Sequence, residues 1–263
     1  MNEALILLYH SIDPGDMDET DADKLIYSVK LEEFKRQMEY LSESGYGVIS
    51  LDELVSHIRS GNPLPGKAVV ITFDDGNLSD YEYALPELLK HGFPAAFFIT
   101  VQNIGKTLEW KQIREMSDLG MAIQSHTVTH SFLSDLPPDA IGWELRESKR
   151  IIEDAMGKTV SHLALPGGRY NGVVKGIAVE CGYKAICTSE IGINTSKTDP
   201  YRLKRWIIRR NTDISEFQRI LDGDRSTGFR HKTRYILLNS AKKILGNKSY
   251  VKLRRKLLVG VKA

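Results

Sequence analysis

Val69-Val70-Ile71-Thr72-Phe73-Asp74-Asp75-Gly76 is the stretch on which the reading of this chain turns. Three apolar residues followed by Thr72-Phe73 predict a buried strand. The strand ends in two adjacent carboxylates and a glycine. Side chains alternate along a strand, so Asp74 and Asp75 should diverge where it frays. Two carboxylates at the end of a buried strand are unfavourable unless they are paired or bind a metal. A helix cap followed by a turn is the plainer alternative, because Asp and Gly favour both.

Upstream, residues 4–9 form a short apolar strand ending at His10-Ser11, and the acidic stretch 12–23, with Pro14-Gly15, predicts a loop. Leu31, Phe34, Met38 and Leu41 share one helical face, and Gly45 ends that helix. A strand at 46–49 leads to Ser50, a good cap for a short helix carrying Leu51, Leu54 and Ile58. Downstream of Gly76, strands are expected at 95–101, 121–124, 162–165, 183–188 and 203–209. Helices between them are expected near 83–90, 110–119, 137–155 and up to Val179, with a last one at 214–221. This strand–helix alternation predicts an α/β fold with a parallel sheet, open or closed into a barrel. Either way the site belongs at the C-terminal ends of the strands. Four polar clusters fall at such ends: His10, Asp74-Asp75, the segment from His126 to His130, and Pro166-Gly167-Gly168-Arg169.

His126 and His130 are four residues apart, which on a helix would place both imidazoles on one face. The β-branched Thr127-Val128-Thr129 between them disfavours a regular helix, and a tight turn converges them equally well. Two neutral imidazoles and one carboxylate suit a divalent metal such as zinc, with a position left open for water. The second carboxylate is then available as a base.

Thr72-Phe73-Asp74-Asp75-Gly76 and Ser125-His126-Thr127-Val128-Thr129-His130 together resemble the first two motifs of the polysaccharide deacetylases, the NodB-homology or carbohydrate esterase 4 family. The resemblance implies a distorted (β/α) barrel of about seven strands. It also implies removal of N-acetyl groups from an amino-sugar-containing carbohydrate, with one divalent metal ion, zinc foremost and cobalt, nickel or manganese as alternatives. By the same resemblance Asp74 is the catalytic base, and Asp75, His126 and His130 are metal ligands. Pro166 and Gly167 stand where the family pairs a proline with an aromatic whose backbone N–H binds the oxyanion. The arginine that usually precedes that proline is missing, and Arg169 is the candidate to replace it. The family's C-terminal Leu-x-His acid is also missing. Leu7-Leu8-Tyr9-His10-Ser11 instead resembles the opening strand of a subgroup with circularly permuted motifs, which includes the poly-N-acetylglucosamine deacetylases. That makes His10 the general acid and places Tyr9 on the substrate side.

The net charge of +2 over 263 residues hides an asymmetry. Residues 225–263 hold twelve Lys or Arg and no Asp or Glu, leaving 24 basic against 34 acidic residues in the rest. Two units are therefore expected: residues 1–224 as the barrel and 225–263 as a basic amphipathic helical tail. The tail suits a membrane surface or an acidic partner. An acidic body makes nucleic acid an unexpected partner. No run of 18 apolar residues and no basic leader occur, so a cytoplasmic location is expected, peripheral to the inner membrane if the tail binds lipid. Cys181 and Cys187 are expected as free thiols. Two other readings fit the same residues: a carbohydrate-binding protein that has lost catalysis, and a non-sugar amide hydrolase.

Overall fold

Near-continuous apolar runs such as Ala4-Leu5-Ile6-Leu7-Leu8 and Ala68-Val69-Val70-Ile71 belong to strands buried on both faces, the signature of a parallel sheet covered by helices. The structure, a computed structural model, describes residues 3–15 and 22–223. In chain order its elements are β1 (Glu3–Tyr9), β2 (Ser11–Asp13), α1 (Ala22–Tyr27), β3 (Ser28–Lys30), α2 (Leu31–Glu43), β4 (Gly47–Val48), α3 (Leu51–Ser60) and β5 (Lys67–Asp75). A π-helical turn, Asp80–Ala84, leads into α4 (Leu85–His91), β6 (Ala95–Ile99), α5 (Trp110–Asp118), β7 (Ala122–Ser125), α6 (Pro138–Met156) and β8 (His162–Ala164). The chain continues through α7 (Gly172–Glu180), β9 (Ala185–Cys187), β10 (Asn194–Thr195), β11 (Trp206–Ile207) and α8 (Ile214–Leu221).

The main sheet runs β10–β1–β5–β6–β7–β8–β9, with β4 attached to β5 and β11 to β1. Strands β1 and β5 to β9 are mutually parallel. β1 lies against the whole length of β5, from Glu3 beside Lys67 to Tyr9 beside Phe73. The sheet curls until its two sides meet: Leu203 bridges to Cys187, and Trp206 and Ile207 pair with Leu7 and Leu8. This is the expected distorted α/β barrel.

Alternation divides the apolar residues into two cores. Outward residues of the strands (Leu5, Leu7, Tyr9, Val69, Ile71, Phe73, Phe97) pack against the inner faces of the helices, including Phe34 and Met38 of α2 and Leu145 of α6. Inward residues (Ala4, Ile6, Ala68, Val70, Ala96, Phe98, Ala164, Ala185, Cys187) form the second cluster, together with Leu51, Leu54 and Val55 of α3. Small alanines low in the barrel leave room for α3, which closes the end away from the strand C-termini. His162 Nε2 at the start of β8 and Asp52 Oδ1 in the first turn of α3 are 2.8 Å apart.

Several details depart from the sequence reading. The segment 12–23 contributes β2 and the start of α1, rather than loop alone. The expected strand at 203–209 is regular only at Trp206–Ile207, because its backbone pairs first with β9 and then with β1 across the seam. Cys181 and Cys187 are free. No helix of the described residues is long and apolar enough to cross a membrane. The basic tail, 225–263, lies outside the described residues.

Ser50 caps α3 as expected, and with Glu53 it completes a reciprocal capping box: the Ser50 hydroxyl accepts from Glu53 N at 3.2 Å, and Glu53 Oε2 accepts from Ser50 N at 2.7 Å. Replacing Ser50 with Ala should therefore destabilise the barrel by about 1 kcal/mol. Thermal denaturation should show this as a fall in Tm of roughly 2–4 °C for a domain of this size.

Candidate active site

Asp74 keeps the alternation of β5 and points into the barrel, where it is buried. Asp75 does not. Its φ of +83° turns the chain out of the strand, and its carboxylate reaches the two histidines instead of the outer core. Among the described residues only Asp75, Thr127 (φ +68°) and His130 (φ +62°) are non-glycine residues with positive φ. Each such residue costs about 1–3 kcal/mol and persists only where its surroundings enforce it. All three lie in one small region.

The segment after β7 is a turn, not a helix. Ser125 Oγ accepts from Thr127 N at 3.2 Å, and Thr127 Oγ1 accepts from His130 N at 3.1 Å. Glu144, buried on α6, holds the turn from outside: its Oε2 accepts from Val128 N at 2.8 Å and Thr129 N at 3.0 Å, and its Oε1 accepts from the Thr129 hydroxyl. Strain at Thr127 and His130 is thus balanced by bonds to a buried carboxylate. Asp75 Oδ1 lies 3.4 Å from His126 Nε2 and 3.2 Å from His130 Nε2. The His126 Nδ1 faces the Ala164 carbonyl at 2.9 Å. A carbonyl only accepts, so Nδ1 carries a proton; Nε2 donates to Asp75 when the ring is protonated and has a lone pair to offer a metal when the ring is neutral. The ligand atoms of Asp75, His126 and His130 lie within 4.8 Å of one another. One carboxylate and two imidazoles so placed offer a three-donor site that fits a divalent metal.

Electrostatics separates the two carboxylates further. Burial works to raise the pKa of Asp75, but hydrogen bonds from His126 and His130 and the charge of His10 hold it well below the usual range. Burial likewise opposes ionisation of Asp74, and here the Arg205 guanidinium prevails, keeping the carboxyl below its ordinary value. Arg205 is fully buried and forks onto Asp74, Nη1 to Oδ1 and Nη2 to Oδ2, both at 2.7 Å. Its Nε donates to the Thr188 carbonyl at 2.8 Å, and its guanidinium carbon sits 5.6 Å from the centre of the Phe98 ring. The geometry is the bidentate match of planar guanidinium to carboxylate.

Arg205 was not legible as a site residue, and it corrects the expectation for Arg169. Arg169 turns to Asp135, 2.7 Å from its Oδ2, and stacks on Phe132; it does not supply the guanidinium at Asp74. Tyr9 is also corrected. It is an outward residue of β1, fully buried, stacked on Phe73 and donating its hydroxyl to Gln37 Oε1 at 2.8 Å, so it is a core residue and not a substrate contact. His10, one residue further, does reach the site. Burial lowers its pKa, against the charges of Asp75 and Asp74, which raise it. Its Nδ1 is buried with no hydrogen-bond partner, and its ring lies 4.8 Å from that of Tyr27. Asn77 ties the two strand ends together, its Nδ2 donating to the carbonyls of His10 at 3.3 Å and Asp74 at 3.4 Å. Pro166 and Gly168 are buried in the turn after β8, and Gly167 has φ +62°.

A Bacillus subtilis protein, YxkH, whose name assigns it to the polysaccharide deacetylases, is 31% identical over 202 residues, covering 76% of this chain and 69% of YxkH. The chain belongs to the polysaccharide deacetylase family. The family profile, Polysaccharide deacetylase, matches residues 61–186, which include Asp74, Asp75, His126 and His130. A poly-beta-1,6-N-acetyl-D-glucosamine N-deacetylase of Staphylococcus epidermidis is 27% identical over 234 residues, 79% of each chain. Among solved structures, the Streptococcus pyogenes deacetylase PplD in complex with acetate superposes with a TM-score of 0.77 and 27% identity, covering 83% of this chain and 98% of that one. Membership makes this chain a hydrolase of the carbohydrate-deacetylase class.

Two substitutions test how this deacetylase builds its site. Glu144→Ala frees the turn between the histidines, so metal affinity should fall about 10–100-fold, as titration calorimetry would record. Arg205→Met leaves Asp74 buried without its partner, with an expected loss of roughly 3–5 kcal/mol at neutral pH. The sign with pH follows from the shift. With Arg205 present, the Asp74 pKa lies below its unfolded value, so its contribution holds above that value and is lost as pH falls through the folded one. In Arg205→Met burial is unopposed and the pKa rises, so the destabilisation should shrink as pH is lowered and Asp74 takes up a proton. Urea unfolding of both proteins at pH 7 and pH 5 measures this.

Proposed function

We propose that this chain is a metal-dependent hydrolase that removes N-acetyl groups from an amino-sugar-containing carbohydrate, such as an exopolysaccharide or a cell-envelope glycan precursor. The observation that carries the reading is the division of the two carboxylates. Asp75 faces His126 and His130, while Asp74, with Oδ2 4.0 Å from His126 Nε2, is kept ionised beside them by Arg205. A divalent metal held by Asp75, His126 and His130, with zinc the first choice, would polarise the acyl carbonyl and a water molecule.

The remaining steps fall to the chain's own residues. Asp74 takes a proton from the attacking water. Arg205 gives it two roles in tension: it keeps Asp74 unprotonated, yet weakens it as a base. The backbone N–H of Gly167 steadies the negative charge that develops on the carbonyl oxygen, a contribution that typically amounts to ~3 kcal/mol per donor. His10 donates a proton to the departing amine. A lowered pKa makes protonated His10 a stronger acid, while the charges of Asp75 and Asp74 favour its protonated form. The C–N bond breaks, the water oxygen joins the acyl carbon, and acetate and a free amino sugar are released. The similarity to proteins named for poly-beta-1,6-N-acetyl-D-glucosamine supports an N-acetylated glycan as substrate.

Acetate release from N-acetylglucosamine oligomers tests the proposal. It should stop on chelation and return when zinc, cobalt, nickel or manganese is restored. Asp74→Asn should lower turnover at least about 100-fold while the protein still binds metal. Acetate release that a chelator leaves untouched, or normal turnover by Asp74→Asn, would overturn the reading.

A further inference from the structure

Phe132 is a large aromatic residue that belongs to neither apolar core, although it is half-buried. It stands two residues beyond His130 and packs edge-on against the turn that follows β8. A side chain at Gly167 would collide with it: an added Cβ would come within 2.6 Å of Phe132 Cε1. The ring thus occupies the space beside Gly167 that a larger residue there would claim for itself. Arg169 covers the ring from another direction, its guanidinium carbon 4.0 Å from the ring centre. Asp135 pins Arg169 in turn, at 2.7 Å. Gly167 at one edge and Arg169 over one face therefore hold an aromatic ring two residues from His130, and the ring belongs to neither core.

We propose that Phe132, backed by Arg169, is the platform on which a pyranose ring of the substrate rests beside the metal centre. The inference rests on the carbohydrate deacetylation proposed above. A sugar ring presents an apolar C–H face that packs on an aromatic surface, and a ring already clamped loses little freedom when substrate arrives. Phe132 is therefore a determinant of substrate binding and specificity, and the proton transfers belong to Asp74 and His10. Arg169, which sequence alone offered as the replacement for the missing motif arginine, acts on this reading as the brace of the platform.

The experiment compares Phe132→Ala, Phe132→Leu and Phe132→Trp with the unaltered, metal-loaded chain on N-acetylglucosamine oligomers, reading kcat, KM, metal content and Tm. Phe132→Leu keeps apolar bulk against Gly167 and guards against loss of folding in the alanine variant. The expected result is a KM about tenfold higher for Leu and Ala, kcat within about threefold, unchanged metal content, and recovery of KM by Trp. A KM within twofold of the unaltered chain in Phe132→Leu would overturn the platform. A fall in kcat with unchanged KM would overturn it as well, because the ring would then serve the turn and not the sugar. If the unaltered chain releases no acetate from any oligomer, the deacetylation reading fails first and takes this inference with it.

Discussion

Much of this protein depends on a single buried fork, the guanidinium of Arg205 on the carboxylate of Asp74. Neither charge could remain in the barrel alone. Desolvation would drive Asp74 to protonate and would leave Arg205 with no acceptable state, so each is the condition for the other. The pair also crosses the seam of the barrel. Arg205 lies on the segment that bonds first to β9 and then to β1, where regular pairing is sparse. The same contact fastens the last turn of the sheet and sets the protonation of the proposed base.

Around this fork the chain is held in shapes it would not choose. The only positive-φ residues other than glycine among the described residues are Asp75, Thr127 and His130. Two of these belong to the candidate ligand set, and the third lies between its histidines. Regular strand geometry would have sent Asp75 toward the helices, and regular turn geometry would not have brought the two imidazoles onto one oxygen. The bonds from Glu144 to Val128 and Thr129 are what make the second distortion sustainable. The geometry of the candidate site is held by a residue outside the ligand set, on a helix that packs against the sheet from outside.

The strand–helix alternation, the C-terminal clustering of polar residues and the His126–His130 pair were legible because each is written locally, as periodicity or short spacing, whereas the choice of Asp75 as their partner came from the resemblance of the two motifs to a known family. Arg205 was not, since its partner is 131 residues away. One signal was nonetheless present. Arg205 shares its face with Leu203 in a stretch of strand-like alternation, and a charge at an inward position demands a buried counter-charge. Glu144 could have been found the same way, lying among Ile141, Leu145 and Ser148 on the buried side of α6. Tyr9 was misread because its neighbour His10 belongs to the site. Period two, with Leu5, Leu7 and Tyr9 on one face, assigns it to the helix side.

The position of β1 has a consequence for how the molecule comes into being. It is the first of the described strands in chain order, yet its partners are β5, β10 and β11, so it lies within the sheet and not at its edge. During synthesis it must wait for residues 67–75 to pair at all, and for residues 194–207 before its other side is covered. Contacts this distant in sequence form slowly and leave strand edges exposed meanwhile. His10 and Arg205 come from the two ends of that interval. A chain halted before Arg205 therefore carries every candidate metal ligand, yet it leaves Asp74 without its counter-charge and β1 with an open edge. Counter-charge and edge cover come with the same late segment, when the last seam closes.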